Sequence, residues 1–116
     1  MRQIHEVSAV QVQFTINDLA RGEEIVAGLL RERLVACAQT VGPVTSRYWW
    51  QGSISQAQEW LFVCKTTRAR LEEAIEHIRA SHPYEVPEIV AGDITGGLDA
   101  YLDWIDAETQ PPAARS

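Results

Sequence analysis

A short proline-containing segment holds the side chains of this sequence that are best suited to chemistry. It reads His82-Pro83-Tyr84-Glu85-Val86-Pro87-Glu88 and combines an imidazole, a phenol and two carboxylates. Each proline fixes its own φ and favours extended conformations at the residue before it, so the polar groups lie on a stiff arm. We call this segment the two-proline arm (residues 82–88). Two interpretations stay open: a pre-organised binding site, or a plain connection from a helix to a strand.

Composition limits the class of protein to which this chain can belong. The 116 residues are 46% hydrophobic, which suffices for one domain with a single core. A net charge of -6 argues against nucleic acid as a partner, since that binding needs clustered Lys and Arg. The longest strongly apolar run, residues 60–64, is too short to span a membrane, and the first six residues lack an apolar signal region. We therefore predict a cytoplasmic location and no membrane partner, with Cys37 and Cys64 as buried, reduced thiols.

Hydrophobic periodicity predicts seven elements around the arm. In order they are a strand at 10–16, a helix at about 18–34, a strand at 36–50 bent near Gly42-Pro43, a strand at 54–67, a helix at 68–80, a strand at 87–94 and a helix at 98–107. The order β-α-β-β-α-β predicts an α+β, ferredoxin-like antiparallel sheet with helices on one face and an extra C-terminal helix. We predict one domain over 1–108 and a disordered tail over 109–116.

The central hairpin is too long for a monomer of this size. A strand over 36–50 extends for about 50 Å, whereas a compact domain of this length measures about 35 Å across. The hairpin must therefore overhang its sheet or fold over at Gly42-Pro43. It carries aromatic residues, Tyr48, Trp49, Trp50 and Trp60, that an overhang would expose. This predicts a trimeric assembly through the hairpin, the alternative being that these aromatics cover the chain's own helices.

Several segments resemble the CutA family of divalent-cation tolerance proteins. They are Arg33-Leu34-Val35-Ala36-Cys37-Ala38, residues 44–52 (VTSRYWWQG), Lys65-Thr66, residues 82–89 (HPYEVPEI) and Tyr101-Leu102-Asp103-Trp104-Ile105. The resemblance spans about residues 7–108. It implies a ferredoxin-like domain that forms a tight homotrimer and is similar in shape to the PII signalling proteins. It also implies a role in tolerance of copper and other divalent metals, without an established enzymatic reaction.

The resemblance further implies where a metal would bind. Some family members have a cysteine late in the first strand and adjacent histidines before the first proline of the arm. This chain has Phe14 and Ser81 at two of those positions, and His82 alone matches. Since one imidazole cannot form a selective copper site, Glu85, Glu88, another subunit or water must supply the other ligands. We therefore expect no required cofactor and a weakly bound divalent metal, the alternative for His82 being a cap on the preceding helix.

A ligand-binding cleft is the second candidate site. Lys65, which ends the apolar run of its strand, could meet Tyr84 and Glu85 at a subunit junction, with Trp50 and Tyr101 lining the same cleft. An ordinary salt bridge of Lys65 and aromatic core packing of Trp50 and Tyr101 are the alternatives.

Catalytic motifs are missing from the sequence. It has no glycine-rich phosphate loop and no nucleophile elbow. The sequence and the resemblance therefore predict a non-enzymatic trimer that acts in divalent metal tolerance. Two alternatives stay open: a PII-like signalling protein that binds a small polar ligand between subunits, and an assembly module whose main property is stability.

Overall fold

The computed structural model describes residues 7–111 and has the predicted order of elements. The strands are β1 (Ala9–Ile16), β2 (Cys37–Trp50), β3 (Ser53–Thr67) and β4 (Ile89–Asp93), and the helices are α1 (Leu19–Arg31), α2 (Arg68–Ser81) and α3 (Asp99–Glu108). All strand pairs are antiparallel, in the order β2-β3-β1-β4. The α+β, ferredoxin-like prediction is confirmed.

The main core lies between one face of the sheet and the helices α1 and α2. Alternate residues of β1 point to this face, so Val12, Phe14 and Ile16 are fully buried, as the period-two pattern predicts. Phe14 is the cross-strand partner of Phe62, and their rings stack with centroids 5.0 Å apart. This packing fixes the end of β1 from which the candidate site is built.

Helix α3, the extra C-terminal helix, covers the face of the sheet opposite to α1 and α2, a face that the sequence prediction left unassigned. Its Leu102 and Ile105 pack against Val7 and Ala9, and Ala9 alternates with the core-facing positions of β1. Tyr101 and Trp104 are each 41% exposed, and their rings stack on each other. They lie on the outer side of α3 because a helix that packs against a sheet buries only one stripe, here Leu102 and Ile105.

Two residues of the predicted tail, Thr109 and Gln110, form hydrogen bonds with the end of α3. Thr109 is buried, and its hydroxyl donates a 2.8 Å hydrogen bond to the carbonyl of Ile105. The side-chain amide of Gln110 donates to the carbonyl of Asp106. The end of α3 is therefore capped by two residues of the predicted tail, while residues 112–116 lie outside the described part of the chain.

The long hairpin extends beyond the rest of the sheet. Strand β1 pairs with β3 only from Trp60 to Thr67, so in the described chain residues 53–59 pair only with β2. The Cα radius of gyration is 15.5 Å, against about 13 Å for a compact chain of this length. The pairing of β2 with β3 shifts register between Val41 and Val44, at Gly42-Pro43, which is the position where the sequence predicts an interruption of the strand. We call the overhanging part, residues 44–59, the outer hairpin.

None of the three helices within residues 7–111 is long and apolar enough to cross a membrane.

Candidate functional site

The two-proline arm is fastened to the sheet by His82. Helix α2 ends at Ser81, and the His82 side chain is buried to all but 8%. Its Nδ1 accepts a 3.1 Å hydrogen bond from the backbone N–H of Tyr84, so Nε2 carries the proton and donates to the carbonyl of Thr15 at 2.8 Å. The ring also lies edge-on to Phe14 and to Tyr84. The imidazole therefore joins the arm to β1 rather than capping its own helix.

This geometry leaves neither ring nitrogen of His82 available to a metal. A ligating nitrogen would have to give up its bond to Tyr84 or to Thr15. Within residues 7–111, moreover, no three His, Cys, Asp or Glu side chains form a group that could hold a metal ion. The residues that one chain brings together do not fit a selective copper site. Glu85 and Glu88 stay predicted metal ligands, at exposed positions of the arm.

Tyr84 joins the arm to the outer hairpin. Its hydroxyl donates a 2.9 Å hydrogen bond to Glu59, a carboxylate on β3 that is only 6% exposed. Burial of the phenol, the hydrogen bond to Glu59 and the negative charge of Glu59 raise the pKa of Tyr84 well above its usual range. A protonated phenol therefore faces the carboxylate at all ordinary pH values.

A cavity of about 750 Å³ lies between the outer hairpin and the arm. Alternation along the paired strands points Ser46, Tyr48 and Trp50 of β2 to the same side as Ala57 and Glu59 of β3. The lining residues are Thr15, Asn17, Ser46, Arg47, Tyr48, Trp50, Ala57, Glu59, Tyr84, Glu85, Val86, Pro87 and Glu88. The cavity thus combines three aromatic rings with three carboxylates and one guanidinium group.

One chain brings together only part of the predicted ligand-binding cleft. Trp50, Tyr84 and Glu85 line the cavity, whereas Lys65 and Tyr101 do not. Lys65 donates a 2.8 Å hydrogen bond to Gln39, and the Tyr101 hydroxyl lies 3.6 Å from Cys37 Sγ. Cys37 is the cross-strand partner of Lys65, so Lys65 and Tyr101 form a second group further along the sheet. A cleft that unites the two groups at a subunit junction stays a prediction.

The pKa of the Tyr101 phenol is also raised, first by its hydrogen bond to Cys37 and then by burial. Both cysteines are free thiols, but only Cys64 is buried. Cys37 is half-buried, because it begins β2 at an edge of the sheet. The prediction of two buried thiols therefore holds for one of them.

Sequence reasoning missed Glu59, Tyr48 and Arg47 as site residues. Glu59 directly precedes the apolar run of β3. A charged residue next to such a run can be buried, and buried charged residues are normally paired. Its partner Tyr84 is 25 residues away, and no periodicity within one element could have paired them.

Comparisons with known proteins agree on one family. A family model described as "CutA1 divalent ion tolerance protein" matches residues 10–108. "Protein CutA, chloroplastic" of Arabidopsis thaliana is 36% identical over 104 residues, which cover 90% of this chain and 57% of that protein. The chain thus spans little more than half of that relative.

"Divalent-cation tolerance protein CutA" of Escherichia coli (strain K12 / DH10B) is 34% identical over 100 residues, covering 86% of this chain and 89% of that protein. Among solved structures, the divalent cation tolerance protein of Thermus thermophilus has a TM-score of 0.85 at 39% identity. That match covers 88% of this chain and 99% of the Thermus chain.

Proposed function

Because the chain belongs to the CutA1 divalent ion tolerance family, we propose that it acts as a non-enzymatic trimer in the tolerance of divalent metal cations such as copper. The family match over residues 10–108 carries this proposal. We further propose that the protein requires no cofactor, acts in the cytoplasm, and has neither nucleic acid nor a membrane as a partner. The net charge of -6 is consistent with the absence of a polyanionic partner.

The outer hairpin supports the trimeric state. A two-stranded hairpin is marginally stable alone in water, and this one exposes 73% of Trp49 and 65% of Ile54. These two residues are cross-strand partners, so they form one apolar patch on the side of the hairpin that faces away from the cavity. Contact with other copies of the chain would cover this patch and the unpaired strand edge.

Weak metal binding is the finer part of the proposal. His82 is engaged through both ring nitrogens, and the candidate oxygen ligands Glu85 and Glu88 lie on the exposed side of the arm. Hard carboxylate ligands without nitrogen or sulfur give copper(II) little selectivity.

Growth of the host in graded concentrations of copper(II) and zinc(II) tests the tolerance function. Deleting the gene should lower the concentration at which growth stops, and the re-expressed wild-type chain should restore it. Unchanged growth of the deletion strain in every divalent metal would refute the proposed function. Light scattering of the purified protein, which should give three times the chain mass, tests the trimer separately.

A PII-like sensor that binds a small polar ligand between subunits is the second candidate function. The cavity favours it, since three aromatic rings and several charged groups surround a volume that fits a small organic molecule. Native mass spectrometry of protein taken directly from its host distinguishes the candidates, because it reports the mass of the oligomer together with any metal or metabolite that it retains.

A further inference from the structure

The carboxylate of Glu59 is buried without a cation beside it. Only 6% of the residue is exposed, and its hydrogen-bond donor is the neutral hydroxyl of Tyr84. Within residues 7–111 no Lys, Arg or His side chain forms an ion pair with it. Buried carboxylates are normally paired with a cation or a metal because an isolated buried charge is costly. Glu59 therefore lacks the partner that such a position normally has.

No positively charged side chain of the described residues lies in a position to pair with Glu59. The one guanidinium of the cavity belongs to Arg47, whose Nε donates to Gln56 at 3.1 Å. Arg47 alternates with Ser46 and Tyr48, so its Cβ points to the other side of the hairpin. A cation that pairs with Glu59 would therefore come from outside the described chain.

The walls around Glu59 suit an organic cation better than a bare metal ion. Tyr48, Trp50 and Tyr84 present aromatic surface to the cavity, and aromatic faces attract ammonium and guanidinium groups. A hard metal ion needs about six oxygen ligands close together, whereas Glu59, Glu85 and Glu88 do not converge on one point. The two arm carboxylates lie instead at the rim, where they attract positive charge at longer range.

We propose that the cavity between the outer hairpin and the two-proline arm binds a small organic amine, with its ammonium group on Glu59 and its carbon chain against Trp50 and Tyr48. This inference deepens the second candidate function and rests on it. Glu59 recognises the positive charge of the amine. The alcohol and acid of the same carbon skeleton should be rejected, since neither supplies a positive charge to the buried carboxylate.

Calorimetric titration of the purified oligomer with putrescine tests the proposal, and 1,4-butanediol and succinate serve as the matched neutral and anionic probes. Putrescine should bind, and the two controls should not. Glu59→Gln keeps the size of the side chain and an acceptor for Tyr84 but removes the charge, so it should weaken putrescine binding by about tenfold or more. Glu72→Gln, an equal change on the exposed surface of α2, should leave the affinity unchanged.

A fluorescence titration provides the second measurement. Putrescine should change the tryptophan emission of the wild type, and Trp50→Phe should remove that change while far-UV circular dichroism and the mass by light scattering stay as in the wild type. Absence of putrescine binding, equal binding of succinate, or full affinity in Glu59→Gln would each overturn the proposal.

Two further outcomes separate this proposal from the tolerance function. If copper(II) binds in a Glu59-dependent manner and putrescine does not, the amine proposal is wrong while the tolerance function stands. If Glu59→Gln loses the oligomeric mass and putrescine does not bind the wild type, a cationic side chain of another copy pairs with Glu59, and the amine proposal is again wrong.

Discussion

The Tyr84 hydroxyl and the Glu59 carboxylate are joined by a 2.9 Å hydrogen bond that links the two-proline arm to the outer hairpin. The same arm is joined to β1 through His82 and Thr15. These two contacts fix both sides of the cavity, although the four residues come from β1, β3 and the arm. The shape of the site therefore depends on side-chain hydrogen bonds between segments that are far apart in the sequence.

Removing the Tyr84 hydroxyl should destabilise the protein. Tyr84→Phe keeps the ring but leaves the buried Glu59 carboxylate without its donor, at a cost of about 1–3 kcal/mol. Urea denaturation of the variant and the wild type at matched concentration measures the change. Tyr48→Phe, which removes an exposed phenol from the same cavity, is the control and should cost much less. Equal stability of the Tyr84→Phe variant and the wild type would contradict the importance of the contact.

Burial of the Tyr84 phenol, together with the same hydrogen bond, predicts a loss of stability in alkaline solution. Because folding raises the pKa of Tyr84, its contribution to stability is complete below the ordinary tyrosine pKa of about 10 and falls as the pH rises above it. Burial also raises the pKa of the Cys64 thiol, to about 12, so other groups add to this loss. The free energy of unfolding of Tyr84→Phe should therefore fall less steeply above pH 10 than that of the wild type. If the free energy of unfolding falls equally steeply with pH in the two proteins, the pKa of Tyr84 is not raised by folding.

The local pattern of the sequence predicts the elements, while the contacts between elements lie beyond it. Alternation over β1 predicts its buried face because strand geometry has a period of two whatever the strand packs against. The side of the sheet that α3 covers depends on Val7 and Ala9, which fall outside the strand predicted from residue 10. His82 and Thr15 are 67 residues apart, so their contact follows only from the assembled sheet. For this reason the arm could be identified as a candidate site while the role of its histidine could not.

Glycine in α1 provides a further test of the core. Helix propensity alone predicts that Ala at position 22 or 28 stabilises a helix by about 1 kcal/mol. A Cβ atom at Gly22, however, would lie 2.6 Å from Phe62 Cζ and 3.0 Å from Ile16 Cγ2 in the packed core. We therefore expect Gly22→Ala to destabilise the protein by about 1–3 kcal/mol in urea denaturation.

Gly28→Ala is the matched control, since its Cβ would meet the half-buried His77 ring, which can move outward. Combining Gly28→Ala with His77→Ala should recover any stability that Gly28→Ala alone loses. A stabilising Gly22→Ala would show that the ring of Phe62 moves aside at little cost.

The apolar patch of the outer hairpin should control assembly. Changing both Trp49 and Ile54 to Ser removes side chains whose burial is worth about 2 kcal/mol or more each. We expect this double variant to dissociate to the mass of one chain on dilution, as measured by light scattering. Leu30→Ser, at an exposed position of α1, should keep the mass of the wild type. A double variant with unchanged mass at all concentrations would place the assembly surface elsewhere.

Copper(II) should bind weakly, and changing His82 should affect the stability of the protein more than its affinity for copper(II). Both of its ring nitrogens are hydrogen-bonded inside the protein, so His82→Ala removes one buried and one partly buried hydrogen bond and should lower the free energy of unfolding by about 1–3 kcal/mol. Calorimetric titration with copper(II) should give weak binding that is unaltered in His82→Ala. Weaker binding is expected only when Glu85 and Glu88 are both changed to Gln. Tight stoichiometric binding that disappears in His82→Ala would mean that the imidazole leaves Thr15 and Tyr84 to ligate the metal.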